Sequence, residues 1–437
     1  MNIHYKSSGI RGHYKSILHI SYNVGRALSI LTDIYNKNFG VMITASHCSY
    51  IYNGFKLVND KGLLLTNDEE LKFYEIFNFK NYKYTNKYKN HIIVGYDTRF
   101  SNFYILNEFI KGCNSVGCNI INLGLVSTPM LHYSMCHNNY ENQMIELLNN
   151  FNYNLSSILT IDCANGIGSI LFKKLLDNTT NNTWKNIKLI NTNYENYKKI
   201  NNNCGADFYT SYNNNIVDLN DGLYASIDGD VDRSIFFNVH DKQIKLFDGD
   251  FISINFLNYL KNIIDEKEII VVYTDYSNSK FVEFVNNNYN VKFIKSETGV
   301  KFCDSVARNS KYGIYFENNG HGTFINNDVN NHNLKIFNYC NNFIGDGIFN
   351  IFAMCHIGNF IDFYQKYNVY NFTIDCFDDF VLNDDMIMNC KLLEQIYNVH
   401  RIFIRKSNTE NIIRVLIEYY NDFNIELLDD IIKIILN

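Results

Sequence analysis

The chain has 437 residues, of which 46% are hydrophobic and 19% charged, so it is long enough for several folded domains and too apolar for a disordered protein. Its net charge of −6 at pH 7 argues against nucleic acid as the main partner, because binding to a phosphate backbone needs a cationic face. No apolar run reaches membrane-spanning length, and the start MNIHYKSSGIRG lacks the apolar core of a signal peptide. The eleven cysteines show no metal-binding spacing, which predicts reduced thiols in a cytoplasmic protein.

The predicted elements repeat one theme along the chain: a short β-branched strand, a loop with Gly or acidic residues, then a helix or another strand. The segments with this pattern are VMIT (41–44), HIIVGYDTR (91–99), SSILTIDCANGIGSILFKKLL (156–176), LYASIDGDVDRSIFF (223–237) and EIIVVYTDYSNSKFVEFV (268–285). The alternation predicts an α/β protein with mostly parallel strands and functional loops at the carboxyl ends of strands. Candidate boundaries near 150, 246 and 370 predict four domains, at 1–150, 151–245, 246–370 and 371–437.

The first candidate site is the loop TASHCSYIYNGFK after the strand VMIT, with Ser46, His47 and Lys56. Most serines at such positions only cap a turn or a helix, and the G-x-S-x-G elbow of a hydrolase is absent. Ser46 is a candidate phosphoryl acceptor instead, since a phosphoserine would bring its own oxygens to a metal ion. His47 and Lys56 could then offset the phosphate charge or move protons.

The second candidate site is the acidic segment DGDVDR, residues 228–233. Three carboxylates at alternate positions can converge on one hard cation, and oxygen ligands suit Mg²⁺. An EF-hand is excluded, because its sixth and twelfth positions should be Gly and Glu, whereas here they are Arg233 and Val239. A solvated acidic turn is the alternative, but hydrophobic strands on both sides weaken it. We therefore predict a magnesium site at Asp228, Asp230 and Asp232.

Two further loops favour polar ligands. The loop after the strand GIYF carries Glu317, Asn319, His321 and Thr323 between glycines, and carboxylate plus amide is suited to sugar hydroxyls. An ordinary polar hairpin turn is the alternative there.

The other loop, RKSNTE (405–410), follows the strand RIFI, and Arg414 lies on the next element. Hydroxyls, backbone N–H groups and arginines make a phosphate cradle plausible. A helix start with Ser407 or Asn408 as N-cap is the alternative, compatible with the first because a helix N-terminus also binds anions.

These loops belong to a collinear series that resembles the α-D-phosphohexomutases, and within that superfamily the phosphoacetylglucosamine mutases. The series comprises SSGIR (7–11), TASH (44–47), NGFKLV (53–58), GYDTR (95–99), STP (127–129), LHY (131–133), DCANGIG (162–168), CGADF (204–208), DGDVDR (228–233), TGVK (298–301), FENNGHGT (316–323) and RKSNTEN (405–411). In relatives that act on glucose or mannose phosphates, the G-x-D-T-R-like segment precedes the serine loop. Here it follows that loop, as in the phosphoacetylglucosamine mutases.

The resemblance implies a four-domain phosphohexomutase architecture, with three α/β mixed-sheet domains around a cleft, a small α+β C-terminal domain, and one functional loop from each. It implies interconversion of N-acetylglucosamine 6-phosphate and 1-phosphate through a phosphoserine enzyme and a 1,6-bisphosphate intermediate, in UDP-N-acetylglucosamine biosynthesis. The implied cofactor is Mg²⁺, and the implied partners are the hexosamine phosphate and the sugar bisphosphate. Two alternatives stay open: a related mutase for glucose, glucosamine or mannose phosphate, and a non-catalytic relative that only binds sugar phosphates.

The resemblance also assigns roles to individual residues. Ser46 is the phosphorylated nucleophile, and its phosphate joins Asp228, Asp230 and Asp232 around Mg²⁺. The implied positions around the transferred group are Arg11, His47, Lys56 and His321, with Lys56 and His321 as proton-transfer candidates, and Arg233 is implied as a phosphate-neutralising residue. The implied sugar-binding residues are Thr298, Gly299, Glu317, Asn319 and Gly320. The implied ligands of the phosphate that does not react are Arg405, Ser407, Asn408, Thr409 and Arg414. Cys48 and Ser49 replace an Asn-Pro of the family, and Lys406 and Asn408 replace a Pro and a Gly.

Overall fold

The protein contains four β-sheets, which follow one another along the chain. The computed structural model describes residues 9–79, 90–211, 218–358, 360, 363–375, 380–406, 412–420 and 423–436. The first sheet has the strand order β1-β3-β2-β4-β5. Its strands are β1 (Ile10–His13), β2 (Phe39–Ile43), β3 (Tyr52–Val58), β4 (His91–Tyr96) and β5 (Asn119–Leu125). The helices in this part of the chain are α1 (Tyr14–Tyr35), α2 (Asn67–Asn78), α3 (Asn102–Asn114), α4 (Thr128–Ser134) and α5 (Tyr140–Asn150), of which α5 packs in the core of the second and third sheets.

The central strand β2 places the serine loop, residues 44–51. Its sequence FGVMI is wholly buried, as expected for a continuous apolar run inside an α/β sheet. β2 runs parallel to β4 and antiparallel to β3. The loops that follow β2 and β4 therefore leave the sheet at the same edge, which brings the segment after Tyr96 next to the serine loop.

The second sheet has the order β10-β9-β8-β6-β7. Its strands are β6 (Leu159–Asp162), β7 (Ile187–Ile190), β8 (Gly222–Ile227), β9 (Ser234–His240) and β10 (Gln243–Phe247). Its helices are α6 (Gly168–Asn178) and α7 (Ala206–Thr210), with 3-10 helices at Asn182–Asn186 and Tyr197–Lys199. β8 and β9 form an antiparallel pair that closes at Ile227 and Ser234, so the acidic loop (residues 228–233) connects them at the sheet edge.

The third sheet has the order β12-β11-β13-β14. Its strands are β11 (Ile269–Tyr273), β12 (Lys292–Lys295), β13 (Tyr312–Phe316) and β14 (Gly322–Asn326). Its helices are α8 (Gly249–Leu260), α9 (Ser279–Asn288), α10 (Val300–Ala307) and α11 (Gly347–Ile357), with 3-10 helices at Glu266–Glu268 and His332–Tyr339. The polar loop (residues 317–321) joins β13 to β14, which are antiparallel.

The fourth sheet is small and, in its described part, antiparallel throughout, with the order β15-β17-β16. Its strands are β15 (Asn368–Asp375), β16 (Val399–Lys406) and β17 (Ile412–Tyr419), and its helices are α12 (Asp384–Ile396) and α13 (Glu426–Leu436). Residues 407–411, where a helix start with Ser407 or Asn408 as N-cap is the alternative, lie outside the described residues. The described chain resumes at Ile412 as the strand β17, which carries Arg414.

The largest core unites the second and third sheets. Trp184, which is fully buried, packs edge-on against Phe352 of α11, with ring centroids 5.2 Å apart. Phe172 of α6 meets the same Phe352 ring at 5.7 Å. Separate cores lie under the first and fourth sheets. The second and third units are therefore packed on each other and not merely linked by the chain.

The α/β class with mixed sheets is confirmed, but the strands are not mostly parallel. Parallel pairing holds at the centre of the first three sheets, whereas antiparallel strands extend each of them at one side. Two of the predicted domain boundaries, 245/246 and 370/371, fall inside β10 and β15, so the domain division remains a prediction. Among the described helices, none combines the length and the apolar character that crossing a membrane requires.

Candidate active site

Ser46 meets the acidic loop directly. Its side chain is buried, and its Oγ donates a hydrogen bond of 2.6 Å to Asp228 Oδ2 and lies 3.5 Å from Asp232 Oδ1. The φ angle of Ser46 is 52°, in the left-handed region that non-glycine residues rarely adopt. Backbone strain of this kind persists only where the surroundings hold it in place, and it is concentrated at functional sites.

Arg99, which follows β4, holds the serine loop in this conformation. Its guanidinium donates to four main-chain carbonyl oxygens of that loop and of β3, namely those of Ser46 (2.9 Å), Cys48 (2.8 Å), Ser49 (2.6 Å) and Tyr52 (3.0 Å). Its Nε donates to Asp97 Oδ2 at 3.0 Å, and both side chains are fully buried. All five N–H donors of the arginine are thus used on the serine loop, the first residue of β3 and the carboxylate of Asp97.

A second clamp comes from the second sheet. Asn201 Nδ2 donates to the carbonyl oxygens of Ser46, at 2.7 Å, and Cys48, at 3.0 Å. These are two of the carbonyls that Arg99 also contacts. The serine loop is therefore fixed from both sides, by its own sheet and by the unit that carries the acidic loop.

The three aspartates of the acidic loop form one buried cluster. One carboxylate oxygen from each of Asp228, Asp230 and Asp232 lies within 4.8 Å of the others, and all three side chains are buried. Between them, Val231 has a φ of 68°, which is a genuine outlier for a β-branched residue. The turn is held by neighbouring backbone, since Thr128 N donates to Asp230 O at 3.0 Å and Gly347 N donates to Val231 O at 2.9 Å.

Lys56 on β3 reaches the cluster from the side of the serine loop. Its Nζ contacts Asp230 Oδ2 at 2.6 Å and also contacts Asp232 Oδ2, and the lysine is almost completely buried. Thr128 Oγ1 donates to the same Asp230 oxygen at 2.6 Å. Burial lowers the pKa of Lys56, but the three aspartates outweigh it and raise the pKa, so the lysine is protonated at pH 7.

Arg233 supplies the second buried cation. Its Nε lies 3.8 Å from Asp228 Oδ2 and 3.9 Å from Asp232 Oδ1, and its NH1 pairs with Asp207. His47 Nδ1 lies 3.1 Å from the same Asp207 oxygen. Burial and the positive charges of Arg233 and Arg11 lower the pKa of His47 well below its usual value, so the ring is neutral at pH 7.

The pKa values of the clustered aspartates shift in opposite directions. Burial and the charges of Asp232 and Asp230 raise the pKa of Asp228 well above its ordinary value. Burial also acts on Asp232, but His321, Lys56 and Arg233 outweigh it and lower its pKa. The raised pKa of Asp228 reflects repulsion among the three carboxylates, which Lys56 and Arg233 offset only in part and which a further cation would relieve.

The cluster fits a magnesium ion on its own chemistry. All the converging donors are carboxylate oxygens, which Mg²⁺ prefers. Asp230 Oδ1 is buried and has no hydrogen-bond partner among the described residues. An unpaired buried carboxylate oxygen costs several kcal/mol in order of magnitude, and coordination to a cation removes that cost. The second acidic group, Asp221, His240 and Asp241, is exposed and has no comparable setting.

The polar loop lies against the acidic loop. Arg233 and His321 form an antiparallel backbone bridge, and Ser234 N donates to Gly320 O at 3.2 Å. His321 Nε2 lies 3.5 Å from Asp232 Oδ2, and burial lowers the pKa of His321 to about 4. Asn319 Oδ1 accepts from His321 N at 3.2 Å. The loop is a hairpin turn between β13 and β14, as in the alternative interpretation, and this turn brings His321 to the cluster.

Glu317 opens this loop and is half-buried. Burial raises its pKa, while Arg233, Arg405 and the Gly299 backbone N–H lower it. Gly299, with a φ of 131°, directly precedes α10, and Thr298 lies half-buried beside it. Glu317 and Gly299 are thus brought together as expected.

Arg405 and Arg414 lie opposite each other on neighbouring strands of the fourth sheet. They are directly paired in the register of β16 and β17. Like charges in this position repel one another, and an anion between them would remove the cost. The predicted phosphate-site residues Ser407, Asn408 and Thr409 lie outside the described residues. Arg11, on β1, points its NH1 at Cys48 Sγ, 3.6 Å away, at the rim of the serine loop.

Arg99, Asp97, Asn201, Asp207 and Thr128 were missed as site residues. The segments GYDTR, STP and CGADF mark four of them, but only as strand ends and family-like runs. Their contacts with the serine and acidic loops span separations such as 102 and 155 residues, which no local pattern reveals.

Comparison with known proteins places the chain in a family. The family profile "phosphoacetylglucosamine mutase AMG1, domain III" matches residues 248–357, and "phosphoglucomutase/phosphomannomutase, alpha/beta/alpha domain I" matches residues 16–84 and 79–147. The phosphoacetylglucosamine mutase of Saccharomyces cerevisiae is 30% identical over 383 residues, covering 74% of this chain and 68% of the yeast protein. The chain belongs to the phosphoacetylglucosamine mutase family.

Other members of the family agree. Phosphoacetylglucosamine mutase 1 of Schizosaccharomyces pombe is 29% identical over 368 residues, covering 74% of this chain and 70% of that protein. For the probable phosphoacetylglucosamine mutase of Encephalitozoon cuniculi the identity is 31%, but the match spans only 62% of its length.

Solved structures extend the likeness over the whole chain. An N-acetylglucosamine-phosphate mutase in its product complex superposes with a TM-score of 0.84 at 25% identity, covering 100% of this chain and 95% of that one. The Aspergillus fumigatus N-acetylphosphoglucosamine mutase, solved with GlcNAc-6P and magnesium, has a TM-score of 0.84 at 22% identity, covering 100% and 94%. The second likeness supports the phosphohexomutase fold.

Proposed function

We propose that this protein is a magnesium-dependent phosphoacetylglucosamine mutase, interconverting N-acetylglucosamine 6-phosphate and N-acetylglucosamine 1-phosphate on the way to UDP-N-acetylglucosamine. The observation that carries the proposal is the 2.6 Å contact between Ser46 Oγ and Asp228 at the edge of a buried carboxylate cluster. A hydrolase would need a base beside its serine, whereas here the serine faces carboxylates that would hold a cation.

Ser46 carries the phosphoryl group. A sugar hydroxyl attacks the phosphorus of phosphoserine, the bond from phosphorus to Ser46 Oγ breaks, and the hydroxyl proton passes to that oxygen. The product is a sugar 1,6-bisphosphate. After the sugar turns over, the same step runs in reverse from the other phosphate, and Ser46 is phosphorylated again.

Charge compensation and positioning supply most of the catalysis in phosphoryl transfer. Asp228, Asp230 and Asp232 would hold Mg²⁺, which stabilises negative charge on the phosphoryl oxygens when bound. Lys56 and Arg233 flank the cluster as buried cations, and Arg11 and His47 lie at its rim. His321 Nε2 has no hydrogen-bond partner among the described residues, so it and Lys56 stay our candidates for proton transfer.

The substrate would extend from this cluster towards the fourth sheet. We assign the sugar hydroxyls to Glu317 and Asn319, with Thr298, Gly299 and Gly320 shaping the site, since Glu317 lies in the fields of both Arg233 and Arg405. The phosphate that does not react would meet the paired arginines Arg405 and Arg414, with Ser407, Asn408 and Thr409 as further proposed ligands. A cytoplasmic location accords with the free thiols of every cysteine in the described residues.

The test follows N-acetylglucosamine 1-phosphate by phosphorus NMR, with Mg²⁺ and a bisphosphate primer, in a panel that includes glucose, glucosamine and mannose 1-phosphates. We expect the N-acetyl sugar to turn over fastest and phosphate to appear on Ser46 by intact-protein mass spectrometry. Ser46→Ala should lose both signals, while Ser305→Ala, at an exposed serine, should keep them. Faster turnover of glucose 1-phosphate would refute the sugar assignment, and a lack of phosphate on Ser46 would refute the mechanism.

A further inference from the structure

Tyr276 lies in the loop that follows β11, at the edge of the third sheet that also carries Glu317. β11 and β13 are parallel neighbours, with Val272 paired to Tyr315. The loops after these two strands therefore leave the sheet on the same side. The strand-loop-helix segment 268–285 contains Tyr276 but assigns it no role, and none of the family-like segments includes it.

The Tyr276 ring supports Arg405. The guanidinium carbon of Arg405 lies 5.4 Å from the ring centroid, within the range of a cation–π contact. On β16 as well, Phe403 meets the Tyr276 ring edge-on at 5.5 Å and 87°. These contacts fix the ring between the third sheet and the arginine proposed to hold phosphate.

The Tyr276 hydroxyl is incompletely paired. It is buried and, among the described residues, no group meets the full geometry of a hydrogen bond with it, but the Arg405 guanidinium is close enough to lower its pKa as a hydrogen-bond donor. The hydroxyl oxygen thus faces Arg405 as an acceptor, while its own O–H proton is left to donate, and leaving that buried proton unpaired costs free energy. Phenolic O–H groups donate readily to anionic oxygens, and such bonds are stronger than neutral ones.

Two arginines and one glutamate lie close enough to the Tyr276 hydroxyl to affect its pKa. Burial raises the pKa of Tyr276, while the positive charges of Arg405 and Arg414 act in the opposite direction and Glu317 raises it further. The hydroxyl is thus within range of both paired arginines and of the carboxylate assigned to the sugar. It stays protonated at pH 7, so it acts as a donor.

We propose that Tyr276 is a substrate-binding residue whose hydroxyl donates a hydrogen bond to the non-reacting phosphate held between Arg405 and Arg414. This assignment rests on the proposed function for the identity of the ligand, but its physical content is the binding of a phosphate dianion. The ring holds the Arg405 guanidinium in place, and the hydroxyl adds a neutral donor beside the two cations. Tyr276 would therefore affect affinity for phosphorylated ligands and leave the phosphoryl-transfer step itself unchanged.

The experiment measures binding of glucose 1,6-bisphosphate by titration calorimetry in the Ser46→Ala background, where no turnover occurs. Tyr276→Phe, which keeps the ring, should weaken binding about tenfold, the loss expected for one hydrogen bond to a charged group. Tyr276→Leu, which also removes the support of Arg405, should weaken it further. Inorganic phosphate, used as a competitor, should lose affinity by a similar factor in Tyr276→Phe.

Tyr289 provides a matched control. Its ring also lies beneath a cation, with Lys261 Nζ 5.2 Å from the centroid, but at the far end of α9. Tyr289→Phe should bind the bisphosphate as tightly as the Ser46→Ala parent. In the catalytically active chain, Tyr276→Phe should raise KM with kcat unchanged.

The outcomes separate this inference from the proposed function. Unchanged bisphosphate affinity in Tyr276→Phe overturns the role of Tyr276, even if the enzyme turns over N-acetylglucosamine 1-phosphate. Weakened affinity in Tyr276→Phe upholds the role, even if no mutase turnover is found with any sugar. An equal loss in Tyr289→Phe would show a general effect of losing a hydroxyl and would also overturn the assignment.

Discussion

Arg99 is a positioning residue whose influence reaches the serine only through the backbone. It contacts four carbonyl oxygens of the serine loop and the following strand, and it is too deeply buried to meet substrate. Lysine keeps the charge but has three donors on a single nitrogen, so it cannot reach all four carbonyl oxygens and Asp97 at once. The side chain thus determines where Ser46 Oγ lies relative to Asp228.

Arg99→Lys should therefore lower kcat by about 100-fold, the order of loss that follows a small misplacement of reacting groups, with KM little changed. Hydrogen exchange should become faster in residues 46–52 and stay unchanged around the acidic loop. The measurement is steady-state kinetics alongside exchange mass spectrometry.

Arg308→Lys is the matched control for that variant. Arg308 also pairs with an aspartate, Asp304, through two hydrogen bonds of 2.6 and 2.8 Å, but on α10 and away from the serine loop. Its replacement should leave kcat unaltered. A normal kcat in Arg99→Lys, or an equal loss in Arg308→Lys, would contradict the positioning role.

The sequence predicted the residues whose side chains suit phosphoryl transfer or metal binding, but it did not predict the residues that hold the serine loop in place. Ser46, Lys56, Asp228, Asp230 and Asp232 were predicted together, and they meet in the structure. Arg99 and Asn201 were missed because their function lies in donating to backbone carbonyls, which exist at every residue and carry no sequence signal. Their relevance appears only once the loops are placed in space.

At the scale of single elements, the contact between the polar loop and β9 demands a glycine. Gly320 has a φ of 79°, and a Cβ there would lie 1.8 Å from Ser234 O. Gly124 has a similar φ of 75°, but a Cβ there would meet nothing within 4 Å. Both positions need a left-handed backbone conformation, but only Gly320 lacks room for a Cβ atom.

Gly124→Ala should cost about 1–2 kcal/mol, which is the price of the left-handed conformation alone. Gly320→Ala should cost distinctly more and displace His321 from Asp232, because the clash is with backbone. Chemical denaturation of both variants measures the difference, and kinetics should show activity lost only in Gly320→Ala. Equal destabilisation by the two substitutions would refute the close approach.

Elements were predicted well where their pattern was local. β2 and the hairpin around the acidic loop follow from short apolar runs and from the turn between them. The element after residue 411 was open to interpretation as a helix, and it is β17. Its residues IIRVLIEY alternate and are β-branched, but the polar segment before them also resembles a helix cap.

At the scale of the whole molecule, the acidic cluster makes stability depend on magnesium. The fold holds the three carboxylates together against their mutual repulsion, so the folded state binds a cation that the unfolded chain does not. At a free Mg²⁺ concentration of 100 times Kd, the gain in free energy of unfolding is about 2.7 kcal/mol. Chelation with EDTA should remove it.

Asp230→Asn should abolish this magnesium-dependent rise in melting temperature, measured by calorimetry. Asp241→Ala, in the exposed acidic group at the turn between β9 and β10, should leave it intact. If the magnesium-dependent rise survives in Asp230→Asn and disappears in Asp241→Ala, the ion binds at the exposed group of Asp221, His240 and Asp241, and the prediction is wrong.

The overall arrangement of units was only partly accessible from the sequence. The recurring strand-loop-helix segments predicted α/β layers, and the collinear motifs predicted four parts. The order of strands within each sheet, and the shared core in which Trp184 packs on Phe352, depend on pairings between distant segments. The ends of β10 and β15 carry no composition change that would mark them.

The contact between Ser46 and Asp228 joins residues 182 positions apart. During synthesis Ser46 leaves the ribosome first, followed by Asn201, which clamps its loop, then by the three aspartates, and last by His321. On the proposed mechanism, a chain that stops before the acidic loop lacks the carboxylates that would hold a cation beside Ser46, so phosphoryl transfer would have to wait until residue 232 has been added and folded.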